Sequence, residues 1–254
     1  MANAFFWYDV MTTDTRAAQK FYCDVVGWKL MNPGRPGEDY RVLSTNGHGV
    51  AGVMPFPADA RATDVHPVWM GYIAVDDVDA TAEKVRQEGG TVHRPPSEVP
   101  GVIRYSVVAD PQGSGFLIAK GLVEGPPPPL PTGTAGTIGW RELYASEWRS
   151  AFAFYEKLFG WTRAEAIDMG SLGMYQLFAA GAEPVGGMMT KPPEMRAGGW
   201  GYYINVPSID AAGERVRAGG GKIIHGPEQV PGGQWTAQAL DPQGAAFGMV
   251  AKER

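Results

Sequence analysis

The chain has 254 residues, enough for two compact domains, and its 44% hydrophobic and 19% charged residues are the composition of a folded globular protein. A net charge of −5 argues against non-specific affinity for nucleic acid or an acidic membrane surface, and no apolar run reaches the length of a membrane helix. Cys23 is the only cysteine, which excludes an internal disulfide and a thiolate metal cluster, and four histidines are few for metal chemistry. The opening Met1-Ala2-Asn3-Ala4 has no basic n-region, so the cytoplasm is the expected location.

The first predicted element is a β-rich run from Phe5 to Met11. Thr13 or Asp14 can cap a helix in which Ala18, Phe21, Tyr22 and Val25 recur at helical spacing, and Gly27 stops it. Short strands are expected around Tyr40 to Ser44 and Val50 to Met54. A second unit begins with a strand from Trp69 to Val75. Asp76 or Asp77 then caps a helix that turns Val78, Ala82 and Val85 inward and ends at Gly89-Gly90. That glycine pair reads as helix termination, because no lysine-bearing phosphate loop follows. Strands around Ile103 to Ala109 and Gly115 to Ala119 close the unit, joined by Asp110-Pro111-Gln112-Gly113, a turn signal with Pro at its second position.

The second half repeats this scheme, with Ser146 and Ser208 as the expected caps. Trp7, Phe21-Tyr22 and Gly27-Trp28 recur 133 positions later as Trp140, Phe154-Tyr155 and Gly160-Trp161. Tyr72-Ile73-Ala74-Val75 recurs 131 positions later as Tyr203-Ile204-Asn205-Val206, and the Asp-Pro-Gln-Gly turn recurs unaltered at Asp241 to Gly244. Two homologous domains, 1–120 and 136–254, are therefore expected, joined by a linker over 121–135 that holds Pro126 to Pro129 and Pro131. Proline fixes φ, so this linker should be an extended, semi-rigid spacer.

Two strand–helix–strand units per half, a Phe-Tyr…Gly-Trp helix, the Glu83-Lys84-Val85-Arg86…Gly89-Gly90 helix end and the Asp-Pro-Gln-Gly hairpin resemble the vicinal oxygen chelate superfamily of glyoxalase I, bleomycin-resistance proteins and extradiol dioxygenases. The resemblance covers nearly the whole chain outside the linker. It implies an α+β fold of four βαβββ units in two homologous domains, each an open eight-stranded cup with helices outside and a ligand on the concave face. In metal-using members the first and last strands of each unit supply His, Gln or Glu. Aligned on the helix caps and turns, those positions hold Trp7, Met70 and Leu117 in the first half and Trp140, Gly201 and Gly248 in the second. None of these side chains binds a divalent cation through N or O, and the histidines are scattered, so neither a metal nor another cofactor is expected.

Side chains two apart share a strand face. Asp9 then accompanies Trp7, Glu142 and Tyr144 accompany Trp140, Tyr72 accompanies Met70, and Tyr203 and Asn205 accompany Gly201. Each cup would hold an aromatic wall, a carboxylate and a phenol, a mostly apolar small-molecule site with few polar groups. Asp9 and Glu142 are candidate acid–base residues, or carboxylates tied to backbone, arginine or tyrosine in a structural role. Trp7 and Trp140 either touch the ligand or plug the cup. Most other Trp and Met side chains are expected in the core, and Cys23 is an inert helix thiol. The glycines at 201 and 248 suggest that the second cup is the roomier.

The leading expectation is a metal-independent, glyoxalase- or bleomycin-resistance-like protein that binds a small, largely apolar organic molecule. The alternative is a proton-transfer lyase or isomerase using Asp9 or Glu142, with Tyr72 or Tyr203 steadying charge. A metal-dependent lyase or dioxygenase is disfavoured by the missing ligands. An interaction protein with self-filled cups is the reading from another class. No nucleic-acid or membrane partner is expected, and self-association is left open, as is the pairing of the units.

Overall fold

A computed structural model of the chain describes residues 3–32, 39–56, 66–123 and 130–254. Pro126 to Pro129, the centre of the expected spacer, lie outside the described residues. The order of elements is βαβββ four times over. The first two repeats are β1 (Phe5–Thr12), α1 (Thr15–Val26), β2 (Lys29–Asn32), β3 (Arg41–Thr45), β4 (His48–Pro55), then β5 (Val68–Ala74), α2 (Val78–Gln87), β6 (Thr91–Val99), β7 (Ile103–Ala109) and β8 (Gly115–Gly121). The third is β9 (Ile138–Ala145), α3 (Trp148–Phe159), β10 (Thr162–Asp168), β11 (Met174–Ala179) and β12 (Pro184–Thr190), with a 3-10 turn at Gly170–Leu172. The fourth is β13 (Gly199–Asn205), α4 (Ile209–Ala218), β14 (Lys222–Gln229), β15 (Trp235–Leu240) and β16 (Ala246–Ala251).

The strands form two eight-stranded mixed sheets, ordered β2-β3-β4-β1-β5-β8-β7-β6 and β10-β11-β12-β9-β13-β16-β15-β14. Each sheet ends on two edge strands and is open. The two βαβββ repeats of the same half therefore share a sheet. The fold is α+β with two homologous domains, as the resemblance implied. Within each unit the first and last strands run parallel, as in β1 with β4 and β5 with β8, while the hairpins are antiparallel. No helix of the described residues is long and apolar enough to cross a membrane.

Local chemistry accounts for the helix limits. Asp14 caps α1 by accepting from the amides of Arg16 and Ala17, and Gly27 ends it at φ 88°, a left-handed geometry that suits glycine. Asp77 and Ser208 cap α2 and α4. The cap of α3 is Glu147 rather than Ser146: its carboxylate accepts from the amides of Arg149 and Ser150. Glu147 stands at the register of Asp14, and one more methylene still lets the carboxylate reach both donors. Strands β2 and β6 were not expected individually, because they are edge strands without regular alternation, and β6 contains Pro95 and Pro96.

The chain also divides into two compact units whose limits differ from those of the sheets. One compact unit comprises Met1–Phe6, Met70–Pro126 and Arg141–Trp200; the other comprises Trp7–Trp69, Pro127–Trp140 and Gly201–Arg254. Each unit has an aromatic core. In the first, Tyr155 stacks on Trp161 at 5.2 Å and Trp161 on Phe178 at 4.6 Å. In the second, Tyr22 packs edge-on against Trp69 and Phe247 at 5.1 and 5.3 Å. Both cores hold the same buried polar joint. Trp69 Nε1 donates to the Tyr22 hydroxyl (2.8 Å), which donates to Asp241 Oδ2 (3.0 Å). In the other unit, Trp200 Nε1 donates to Tyr155 (2.9 Å), which donates to Asp110 Oδ2 (3.2 Å). The remaining oxygen of each aspartate accepts two amides of its own Asp-Pro-Gln-Gly turn. Burial raises both carboxyls above the usual range.

Candidate functional site

On β1, Trp7 and Asp9 share a face, and the structure joins them to a third side chain. Trp7 Nε1 donates to Asp9 Oδ1 and to the Tyr40 hydroxyl, both at 2.9 Å, and Tyr40 donates to the same Asp9 oxygen at 2.9 Å. Asp9 is buried. Strand register explains the meeting. Asp9 pairs with Gly52 on β4, and Gly52 pairs with Val42 on β3, two residues after Tyr40. The Tyr40 ring lies across Gly52: a Cβ there would fall well inside 3.0 Å of both Asp9 Oδ1 and the Tyr40 phenol. Gly52 serves as a gap through which β3 reaches β1, not as a turn. Burial, followed by the adjacent Asp9, pushes the Tyr40 hydroxyl far above the ordinary phenol range, so Tyr40 stays a proton donor.

The third unit repeats the arrangement of glycine and tyrosine. Glu142 on β9 is buried and pairs with Gly187 on β12, and Gly187 pairs with Leu177, two residues after Tyr175. A Cβ on Gly187 would collide with the Tyr175 ring. Tyr40 and Tyr175, 135 positions apart as are Gly52 and Gly187, are site residues that the sequence reading missed. The shared offset was the available signal.

The fourth unit uses the device once more. Tyr203 on β13 pairs with Gly248 on β16, and Gly248 with Gln238 on β15. The Tyr203 ring covers Gly248, and Gln238 Nε2 donates to its hydroxyl at 2.6 Å. This corrects the expectation that Gly248 leaves open space: the room is filled by Tyr203. In the second unit Leu117, only 5% exposed, stands opposite Tyr72, so no such gap exists, and Tyr72 meets Phe6 edge-on at 6.3 Å. Asn205 is engaged in structure. Its Nδ2 donates to Thr137 Oγ1 at 2.9 Å, and its side chain lies over Gly139. Trp140, Tyr144 and Gly201 are half-buried on β9 and β13.

The residues at the metal-ligand positions of the resembling family do not fit a divalent cation. Trp7 presents an indole N–H, which is a donor, and it is engaged with Asp9 and Tyr40. Leu117 is apolar, and Gly248 is covered by a ring. Among the described residues no three of His, Cys, Asp and Glu are grouped to hold a metal ion. His225 pairs instead with Glu228 at 2.7 Å, and His48 Nδ1 lies 3.2 Å from the Asn46 carbonyl.

A family model described as the Glyoxalase/Bleomycin resistance protein/Dioxygenase superfamily matches residues 4–118 and 137–249. The chain is 35% identical over 253 residues to CFP32 of Mycobacterium tuberculosis (strain CDC 1551 / Oshkosh), whose name assigns it provisionally to the glyoxylases; the match covers 96% of this chain and 93% of that protein. It is 32% identical over 264 residues to the anthracycline biosynthesis protein DnrV of Streptomyces peucetius, covering 96% and 91%. The crystal structure of the Mn(II)-bound glyoxalase from Novosphingobium aromaticivorans superposes with a TM-score of 0.68 at 17% identity, over 100% of this chain and 83% of that one, a likeness of fold alone. With both repeats matched, the chain belongs to the glyoxalase/bleomycin resistance protein/dioxygenase superfamily.

Proposed function

We propose that this protein is a metal-independent member of its superfamily that binds a small, largely apolar organic molecule on the strand faces carrying Trp7 and Trp140. The observation that carries this reading is the trio of Trp7, Asp9 and Tyr40. It sets one carboxylate and one phenol beside an indole at the place where relatives would supply a metal ligand. Such a site suits an aromatic molecule with few polar groups. Asp9 Oδ1 already accepts from both Trp7 and Tyr40, so the carboxylate is committed to holding these two side chains in place. This favours binding over proton transfer through Asp9. A relative named for anthracycline biosynthesis makes polycyclic aromatic molecules the first class to try.

A second reading, an interaction protein whose strand faces are closed by its own side chains, draws support from the tyrosine rings over Gly52, Gly187 and Gly248. Titration of the purified protein with an anthracycline and a panel of simpler aromatics, followed by tryptophan emission, separates the two. A saturable change that is lost in Trp7→Phe or Trp140→Phe supports binding. Silence across the panel supports the second reading. One tightly held zinc, nickel, manganese or iron per chain by mass spectrometry would refute metal independence.

A further inference from the structure

The helices α2 and α4 occupy equivalent places in the two halves, and their sequences correspond at an offset of 131. Val78, Asp79, Glu83 and Arg86 align with Ile209, Asp210, Glu214 and Arg217. At the centre of the inward face the two differ. Ala82 is buried in α2, and Gly213 is buried in α4. Glycine is the poorest helix former after proline, so a mid-helix glycine asks for a packing reason. None is present. A Cβ on Gly213 would meet nothing nearer than Arg217 Nη1 at 3.7 Å and Ile223 Cδ1 at 3.9 Å, which is ordinary contact. The helix could carry alanine, as its counterpart does.

Beside Gly213 lies a half-open pocket of about 200 Å³, its apolar side formed by Ile209, Ile223, Pro227 and Ala237 and its polar side by Asp210, Glu214 and Arg217. Other differences between the halves fall around the same place. Ser106, whose Oγ donates to the Arg94 carbonyl at 2.6 Å, is replaced by Ala237, which makes no such bond. Arg104, which grips Asp79 through two bonds of 2.7 Å, is replaced by Trp235, and Asp210 turns instead to Arg254 at 3.1 Å. By volume alone such a pocket has room for a single aromatic ring, since roughly 150 Å³ holds benzene. Glu214 and Arg217, three residues apart at the rim, supply an acceptor and a donor.

We infer that this cavity is a second ligand site, independent of the strand-face site proposed above. It takes a neutral, single-ring apolar molecule bearing one hydroxyl. The ring lies against Ile209 and Ile223, and the hydroxyl donates to Glu214. In the first half the equivalent position carries the extra methyl of Ala82.

Phenol is the probe, titrated into the full-length protein while the isoleucine and valine methyl groups are followed by NMR. The methyls of Ile209 and Ile223 should shift saturably, while those of Val92, at the position of Ile223 in the first half, stay still. Gly213→Leu, which extends side chain into the cavity, should weaken phenol about tenfold, the loss of two or so buried methylenes. If that variant does not fold, Gly213→Ala should still weaken phenol measurably, and it should melt higher than the parent. Unchanged affinity in a folded Gly213→Leu, or shifts confined to residues away from α4 and β14, overturns the site. The strand-face reading is untouched by either result, since its readout is tryptophan emission.

Discussion

The hydroxyl of Tyr22 donates to the carboxylate of Asp241 at 3.0 Å across 219 residues of sequence, and both groups are buried. Tyr22 is the tyrosine of the Phe-Tyr helix motif, and Asp241 opens the Asp-Pro-Gln-Gly turn. Two motifs repeated in both halves are thus the two faces of one joint.

Tyr22→Phe should destabilise the protein by about 2–4 kcal/mol, because it leaves Asp241 Oδ2 without its tyrosine donor and the Trp69 N–H without its acceptor. Tyr155→Phe should cost a similar amount through Asp110 and Trp200. Urea unfolding measures both. Tyr105→Phe, at an exposed hydrogen bond to Arg94, should change stability by less than about 0.5 kcal/mol.

The joints also predict a pH dependence. Burial raises the Asp110 and Asp241 carboxyls above the ordinary value of 3.8. A group whose folded value exceeds its unfolded value contributes stability that is complete below the unfolded value. That contribution is lost as pH rises through the folded value. The parent should therefore gain stability relative to Asp241→Asn as pH falls from neutrality toward 3.8. Urea midpoints of the two proteins across that range test it, and a constant difference would count against the burial argument.

Gly52→Ala should break the Trp7–Asp9–Tyr40 trio, because its Cβ falls on the hydrogen bond itself. Overpacking of this kind costs about 1–3 kcal/mol. Gly121→Ala meets nothing within 4 Å and should be close to neutral. Thermal melting of the pair distinguishes a required gap from a general intolerance of substitution in these strands.

Gly248→Leu should destabilise the fold as well as disturb any ligand nearby, since the new side chain enters the Tyr203 ring. A loss of about 1–3 kcal/mol is expected, with the Gln238–Tyr203 bond disrupted. A variant as stable as the parent would mean that Tyr203 swings clear at little cost.

The sequence by itself determined the duplication, the four units and the faces of their elements. Periodicity is local: Ala18, Phe21, Tyr22 and Val25 could only line one side of a helix, and Trp7 and Asp9 one side of a strand. The turn aspartates and the stop at Gly27 were equally legible, because caps and turns involve residues a few positions apart. Glu147 was missed for the opposite reason, since a serine next to it offered a commoner cap.

Only the tertiary structure decided what crosses between strands and units. Tyr40 meets Asp9 because β3, β4 and β1 lie side by side in one register with a glycine in the middle strand. Gly248 is a seat for Tyr203 rather than a void for the same cause. A glycine in a strand looks alike in sequence whether it leaves space for a ligand or for a neighbour's ring. The side chain that fills the space is chosen by strand pairing, and pairing depends on contacts among residues far apart in the chain.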